Sequence, residues 1–194
     1  MNGLEALAAA NAEFERRLRA VSADDWSRPT PCDAWNVRAL VNHVVGANLR
    51  YTMLLTGAAR SEVETTRADD CLGDDPLATF LQSASELAMA FRDDGALDRV
   101  THHRLGDRTG VELLAMRVLD VTVHSWDLAR AIGTDLRLAP DVVEFVLAHM
   151  PDLGPSRGQG AFAAVAGDLP AAASPQVRLL HLVGRTPEAW KETP

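Results

Sequence analysis

The stretch VELLAMRVLDVTVHSWDLARAIG, residues 111–133, decides the fold class. Thr109 and Glu112 at its start form a T-x-x-E pattern. There the threonine side chain caps the first turn and the glutamate reaches back to the cap. Gly133 supplies the stop. The run between them has enough turns to cross a small domain. Upstream, NVRALVNHVVGANLRYTMLLTG (residues 36–57) has the same character. Asn36 serves as N-cap, and Leu40, Val41, Val44, Val45, Tyr51 and Leu54 spread apolar surface over a wide arc, which predicts a largely buried helix. Gly57 ends it.

Two more helices complete the set. Leu4, Leu7, Ala10, Phe14, Leu18 and Val21 recur at helical spacing. Asp75 followed by Pro76 is a favoured helix start, and that helix runs to about Arg92. Residues 22–35 (SADDWSRPTPCDAW) read as loop, because Pro29 and Pro31 forbid continued helix. Residues 58–74 are charged and turn-like, also loop. The connector DDGALDRVTHHRLGDRTG has room for a short extended segment over Arg99–Leu105. Four apolar-faced helices bury those faces best against one another. The expectation is therefore a single all-α domain, a four-helix bundle over 1–133 with a short helical C-terminal extension over 134–194. That extension comprises a helix over Pro140–Met150, a Gly/Pro/Ala-rich stretch from Pro151 to Pro175, and a last helix ending near Gly184.

Composition narrows the function. The 194 residues carry a net charge of −8 and a single lysine, Lys191. An acidic chain without a Lys/Arg run repels phosphate backbones, so no nucleic-acid partner is expected. No apolar run reaches the length of a membrane span. The N-terminus lacks a basic segment and carries Glu5, Glu13 and Glu15, unlike a secretory signal. Cys32 and Cys71 are too few and too far apart for a disulfide framework. A cytoplasmic protein is expected.

Asp120 and His124 stand one turn apart and project from one helix face, a spacing that suits two ligands of one metal ion. It also suits an ordinary carboxylate–imidazole pair, the commoner meaning of so short a motif. His43 sits among Leu40, Val41, Val44 and Val45, where a buried imidazole needs a partner. A metal is one partner, and a hydrogen bond to a neighbouring helix is another. Both sites lie inside helices, where bundle proteins build metal sites. Asp127, a further turn along the stripe, either orients a ligand or faces solvent. Arg117, one turn before Asp120, either binds an anionic substrate or pairs with a carboxylate.

The stretch from Thr30 to His43 reads T-P-C-x-x-W-x-V-x-x-L-x-x-H, and Asp120 to Ala129 reads acid, three residues, His, then W-D-L-A with one residue between. Together they resemble the DinB-like, mycothiol-dependent maleylpyruvate isomerase N-terminal domain family. Arg178-Leu179-Leu180 and Leu182-Val183-Gly184-Arg185 resemble the end of its actinobacterial metal-binding branch. The resemblance implies an up-down-down-up bundle with metal ligands at His43, Asp120 and His124. It implies a divalent metal, zinc above nickel, iron or manganese, and mycothiol as co-substrate. The activity implied is a metal- and thiol-dependent transferase or isomerase acting on a small molecule. The alternative is a non-catalytic metal- or small-molecule-binding helical module. Two departures favour that alternative. The family isomerase has Glu where this chain has Asp120, one methylene shorter, and it carries a further C-terminal domain for which this chain leaves little length. A homodimer is the expected assembly, since symmetric pairs are commonest.

Other residues are expected outside the site. His102 and His103 read as solvent-exposed rather than ligating, the alternative being that they reach the site from their loop, and His149 and His181 as surface or packing residues. Trp26, Trp35 and Trp126 read as packing anchors. Cys32 is either a stabilised thiolate near a helix start or, more in keeping with a free cysteine, a small buried hydrophobe pinning the loop.

Overall fold

The computed structural model describes residues 1–32, 35–150, 169 and 172–185. Helices α1 (Gly3–Leu18), α2 (Val37–Leu55), α4 (Pro76–Ala90) and α5 (Gly110–Ile132) are the long ones. Short helix α3 (Arg60–Thr65), with a 3₁₀ turn over Thr66–Ala68, lies between α2 and α4; α6 (Pro140–His149) and α7 (Pro175–Leu182) follow α5. Their ends obey the capping chemistry of the sequence. Asn36 Oδ1 accepts from Ala39 N at 2.9 Å, Asp75 Oδ1 from Ala78 N at 3.0 Å, and Thr109 and Glu112 cap each other. Gly57 and Gly133 take left-handed φ of 95° and 71°.

Two differences from the sequence reading concern connectors. Residues 58–74 are not all loop: α3 forms there, its first turn closed by Ala59 N donating to Glu62 Oε2 at 2.7 Å. Only Val63 of α3 is buried, so no apolar periodicity announced it. The extended segment is real but shorter than expected. Val100–Thr101 (β1) pairs antiparallel with Arg108–Thr109 (β2), placing Val100 opposite Thr109. Gly110 lets this hairpin close on α5, because a Cβ there would stand 2.0 Å from Ala96 O. Most of the Gly/Pro/Ala-rich stretch, with Asp33, Ala34 and Lys191, lies outside the described residues.

Side-chain contacts fix the helix directions. Gly3 meets Leu114 and Arg17 meets Ser125, so α1 and α5 are parallel. Arg117 bonds Val44 O while His43 faces Asp120, so α2 runs against α5. Cys71, just ahead of α4, bonds Asn42, and Ser83 bonds Asn48, so α2 and α4 are parallel. Phe14 packs on Phe80 to close the ring between α1 and α4. The order is up-down-down-up, the arrangement the resemblance implied. The segment between α2 and α4 runs back along the bundle to restore direction. Helices α6 and α7 pack on each other, and α6 rests on α1 and α5. Among the described residues no helix is long and apolar enough to cross a membrane.

Candidate metal centre

The antiparallel contact of α2 with α5 brings the three expected ligands together. His43 Nε2 lies 3.2 Å from Asp120 Oδ1, and His124 Nε2 lies 3.4 Å from the same oxygen. One ligand atom from each residue falls within 4.8 Å of the other two. The two imidazoles meet edge to face with centroids 4.9 Å apart. Trp35 stacks over His43 at 4.5 Å and stands 5.6 Å from His124, walling the site from the α1–α2 loop. That loop is held by Thr30, whose hydroxyl donates to Trp35 O at 2.9 Å while accepting from Cys32 N at 3.2 Å. Thr30 thus ties Cys32 and Trp35 of the T-P-C-x-x-W pattern to one hydroxyl.

Each ligand is oriented from behind. Arg117 is fully buried and donates to Asp120 Oδ2, to Asn48 Oδ1 at 2.9 Å and to Val44 O at 2.8 Å. Of its two expected roles, carboxylate pairing is the one this geometry shows. It leaves Asp120 Oδ1 to the imidazoles. Asp127 does not face solvent. Its Oδ2 lies 2.9 Å from His124 Nδ1, with both side chains buried. In a neutral imidazole that contact places the proton on Nδ1 and turns the Nε2 lone pair toward Asp120, the tautomer a metal ligand needs.

Two further residues join this cluster. Arg185 donates to Asp127 through Nε at 3.1 Å and Nη2 at 2.7 Å, and through Nη2 to Cys32 Sγ at 2.8 Å. Cys32 Sγ in turn lies 3.4 Å from Asp127 Oδ2 and 3.9 Å from His124 Nδ1. Cys32 is therefore buried but no mere hydrophobe: it is polar-bonded in the shell behind His124. Cys32, His124 and Asp127 also stand close enough to hold a metal. The Arg185 guanidinium already lies against two of them, so a cation fills that position. No sequence spacing links residue 185 to residue 127, which is why Arg185 was legible only as part of a resembling tail.

Charge is finely arranged. Burial disfavours the Asp120 carboxylate, yet His43 and His124 beside it hold its carboxyl well below the usual range. Burial likewise disfavours protonated His124, but Asp120 outweighs it and the imidazole is held well above its ordinary value. At His43 burial prevails and the shift is downward. A carboxylate and two imidazoles gathered within 4.8 Å of one another fit a divalent metal by their donor set.

A cleft opens from His43 and Asp120 along the α2–α5 groove, with a cavity volume of about 90 Å³. Arg50 and Tyr51 of α2 and His103 and Arg104 of the hairpin loop line it. His102 is exposed as expected, but His103 is not: only 7% of it is accessible. Its ring packs 5.8 Å from that of Tyr51, and its Nδ1 accepts from Leu105 N at 3.3 Å. The polar connector folds down onto the bundle and carries His103 inward, a tertiary effect local polarity could not reveal. His149 stacks on Phe145 at 4.1 Å, and His181 is half-buried on α7, in keeping with packing roles. Trp126 is fully buried and Trp26 packs against the core.

Residues 7–129 match the profile of the mycothiol maleylpyruvate isomerase N-terminal domain. The chain belongs to that family. The matched span includes His43, Asp120, His124 and Asp127, while Arg185 lies beyond it. Two uncharacterized proteins, from two strains of Mycobacterium tuberculosis, are each 31% identical over 188 residues, covering 96% of this chain and 99% of theirs. The crystal structure of the mycothiol-dependent maleylpyruvate isomerase superposes with a TM-score of 0.59 at 20% identity, covering 75% of this chain. A histidine-to-alanine mutant of the isomerase superposes with a TM-score of 0.61 at 17% identity. The matched region spans 65% of the isomerase's own length. At such identities the likeness is one of fold, and it supports the DinB-like bundle.

Proposed function

We propose that this protein is a metal-dependent enzyme that joins a low-molecular-weight thiol, mycothiol in the first instance, to a small electrophilic substrate in a transfer or isomerisation reaction. The observation that carries the proposal is the meeting of His43, Asp120 and His124 from two facing helices, with one ligand atom of each within 4.8 Å of the other two. Two imidazoles and one carboxylate leave at least one coordination position open. Zinc is the expected metal, and nickel, iron(II) or manganese suit the same donors. Bound there, the metal would favour the thiolate over the thiol and polarise a substrate carbonyl.

The protein's own groups do the rest. Asp127 keeps His124 in the ligating tautomer, Arg117 holds Asp120 so that one oxygen faces the imidazoles, and Trp35 excludes water from one side. The cleft past His43 receives the small molecule. Family membership supports the choice of thiol, and the Mycobacterium relatives share nearly the whole chain.

The test is metal content together with thiol-dependent consumption of maleylpyruvate, for the wild type, His43→Ala and His124→Ala. We expect about one equivalent of metal in the wild type and loss of both metal and turnover in the variants. Wild-type protein without metal after purification free of chelator, or full activity in His124→Ala, would overturn the proposal. Bound metal with no turnover across a panel of thiols would instead support a non-catalytic metal-binding module.

A further inference from the structure

Among the described residues four arginines are buried: Arg17, Arg50, Arg117 and Arg185. Three are held by a carboxylate. Arg17 pairs with Glu13 at 3.2 Å, Arg117 with Asp120, and Arg185 with Asp127 at 2.7 Å. Arg50 is the exception. Only 8% of it is accessible, no carboxylate of the described residues pairs with it, and its one hydrogen bond is a long contact to Thr66 O at 3.5 Å. Guanidinium groups remain charged in proteins, and a buried charge without a counter-ion is costly. Burial and the neighbouring Arg67 both push Arg50 below its ordinary value. Arg67 itself is engaged elsewhere, forked onto Glu64 at 2.7 and 2.9 Å.

A seat has been made for this unpaired cation. Helix side chains lean toward the N-terminus, so Arg50 lies back over position 46. Position 46 is glycine, and a Cβ there would stand 2.7 Å from Nη1 and 3.0 Å from Nη2 of Arg50. A glycine inside a helix is unfavourable, and here it clears the space the guanidinium fills. Position 46 is one turn from His43, and Arg50 lines the same cleft as His43 and Asp120. The guanidinium therefore lines the same cleft as two residues of the candidate metal centre.

We infer that Arg50 is the receptor for the carboxylate of a small organic acid bound in this cleft. The inference rests on the reading of the cleft as the substrate site and adds the residue that receives and selects its acidic ligand. The planar fork of Arg50 matches a carboxylate with paired hydrogen bonds, and the ligand supplies the counter-ion that Glu13, Asp120 and Asp127 supply to the other three arginines. Arg104, on the opposite wall, adds positive potential to the same cleft.

The experiment is calorimetric titration of chelator-treated protein with succinate, with dimethyl succinate as the uncharged analogue and inorganic phosphate as the competing anion. The proteins are the wild type, Arg50→Gln, Gly46→Ala and the exposed-arginine control Arg137→Gln. Far-UV circular dichroism monitors the fold throughout. Succinate is expected to bind the wild type and Arg137→Gln alike, and Arg50→Gln roughly tenfold or more weakly, the effect of losing a charge-assisted pair. Gly46→Ala keeps the arginine and favours helix, so its weaker binding reports the displaced guanidinium; it carries the test if Arg50→Gln does not fold. No succinate binding to the wild type, equal affinity in Arg50→Gln or in Gly46→Ala, equal affinity for dimethyl succinate, or a preference for phosphate would each overturn the inference. Metal content is measured separately. Arg50→Gln that retains metal but loses succinate supports the inference, whereas His43→Ala that loses metal but retains succinate shows the two sites to be separable.

Discussion

Phe14 and Phe80 meet across the α1–α4 seam with ring centroids 4.9 Å apart, and Leu7, Ala10, Ala84 and Leu87 are buried on the same helices. On the other side of the bundle, α2 and α5 meet through His43, Asn48, Arg117, Asp120 and His124. The first seam is the ordinary source of stability, since burying one large apolar side chain contributes about 1.5–3 kcal/mol. The second offers little net gain, because desolvating paired charges consumes most of their attraction, yet removing one partner is severe. A protein that needed only to fold would build both seams alike. The contrast is the one expected if the proposed metal centre occupies the α2–α5 seam while α1 and α4 hold it shut.

The sharpest way to break the contrast is at Asp127. Asp127→Ala strips the buried Arg185 of its carboxylate and frees the His124 imidazole to turn. We expect a loss of about 3–5 kcal/mol in urea unfolding of the metal-free protein. Metal affinity, read by competition with a chromophoric chelator, should fall about 10–100-fold, as when an orienting partner is lost. Phe80→Ala is the counterpart in the other seam. It should lower stability by about 3–5 kcal/mol through the cavity it leaves, with metal affinity unchanged in whatever fraction stays folded. If Phe80→Ala reduced metal affinity as strongly as Asp127→Ala, the two seams would not be separable.

These residues differ in how visible they were beforehand. The long helices announced themselves through caps and periodicity, and Asn36, Asp75, Thr109 and Gly133 stand where their chemistry demands. Asp120 and His124 were readable as a pair because one helix fixes their relation. His43 could be joined to them only through a resemblance, since no local rule says which helices of a bundle touch. The partners of Arg185, Cys32 and His103 lie beyond local reading for the same reason made stronger. Arg185 reaches Asp127 across 58 positions of sequence, and His103 is buried only because its hairpin folds onto α2. Local chemistry gives elements and their ends, and long-range packing gives the shell behind the ligands.

His103 sharpens the comparison by pH. Burial, with Arg104 and Arg67 nearby, lowers its pKa from 6.5 to about 4. The unfolded chain then binds the proton more readily than the folded one between these values. Its contribution is fully present above pH 6.5 and is lost as pH falls toward 4. The shift corresponds to at most about 3 kcal/mol. His103→Leu should remove that part of the acid sensitivity, seen as a smaller difference in urea stability between two acidic pH values than the wild type shows. An identical pH slope in both proteins would mean that His103 is solvated and that the hairpin does not close the cleft.

The mildest probe is Ser83→Ala, at the edge where the polar seam touches α4. Ser83 Oγ accepts from Asn48 Nδ2 at 3.1 Å and donates to Phe80 O at 3.1 Å, while Asn48 Oδ1 accepts from Arg117 Nε. Alanine leaves the buried Asn48 amide donor without this partner, a loss of about 1–2 kcal/mol in urea unfolding. Arg117 would still be fixed by Asp120 and by Val44 O. Metal affinity should therefore change by less than about threefold, since the orientation of Asp120 does not pass through Ser83. A larger fall would show that the network relays order from α4 to the ligands through Asn48 and Arg117. The apolar and polar seams would then be coupled through α4, which packs on both α1 and α2.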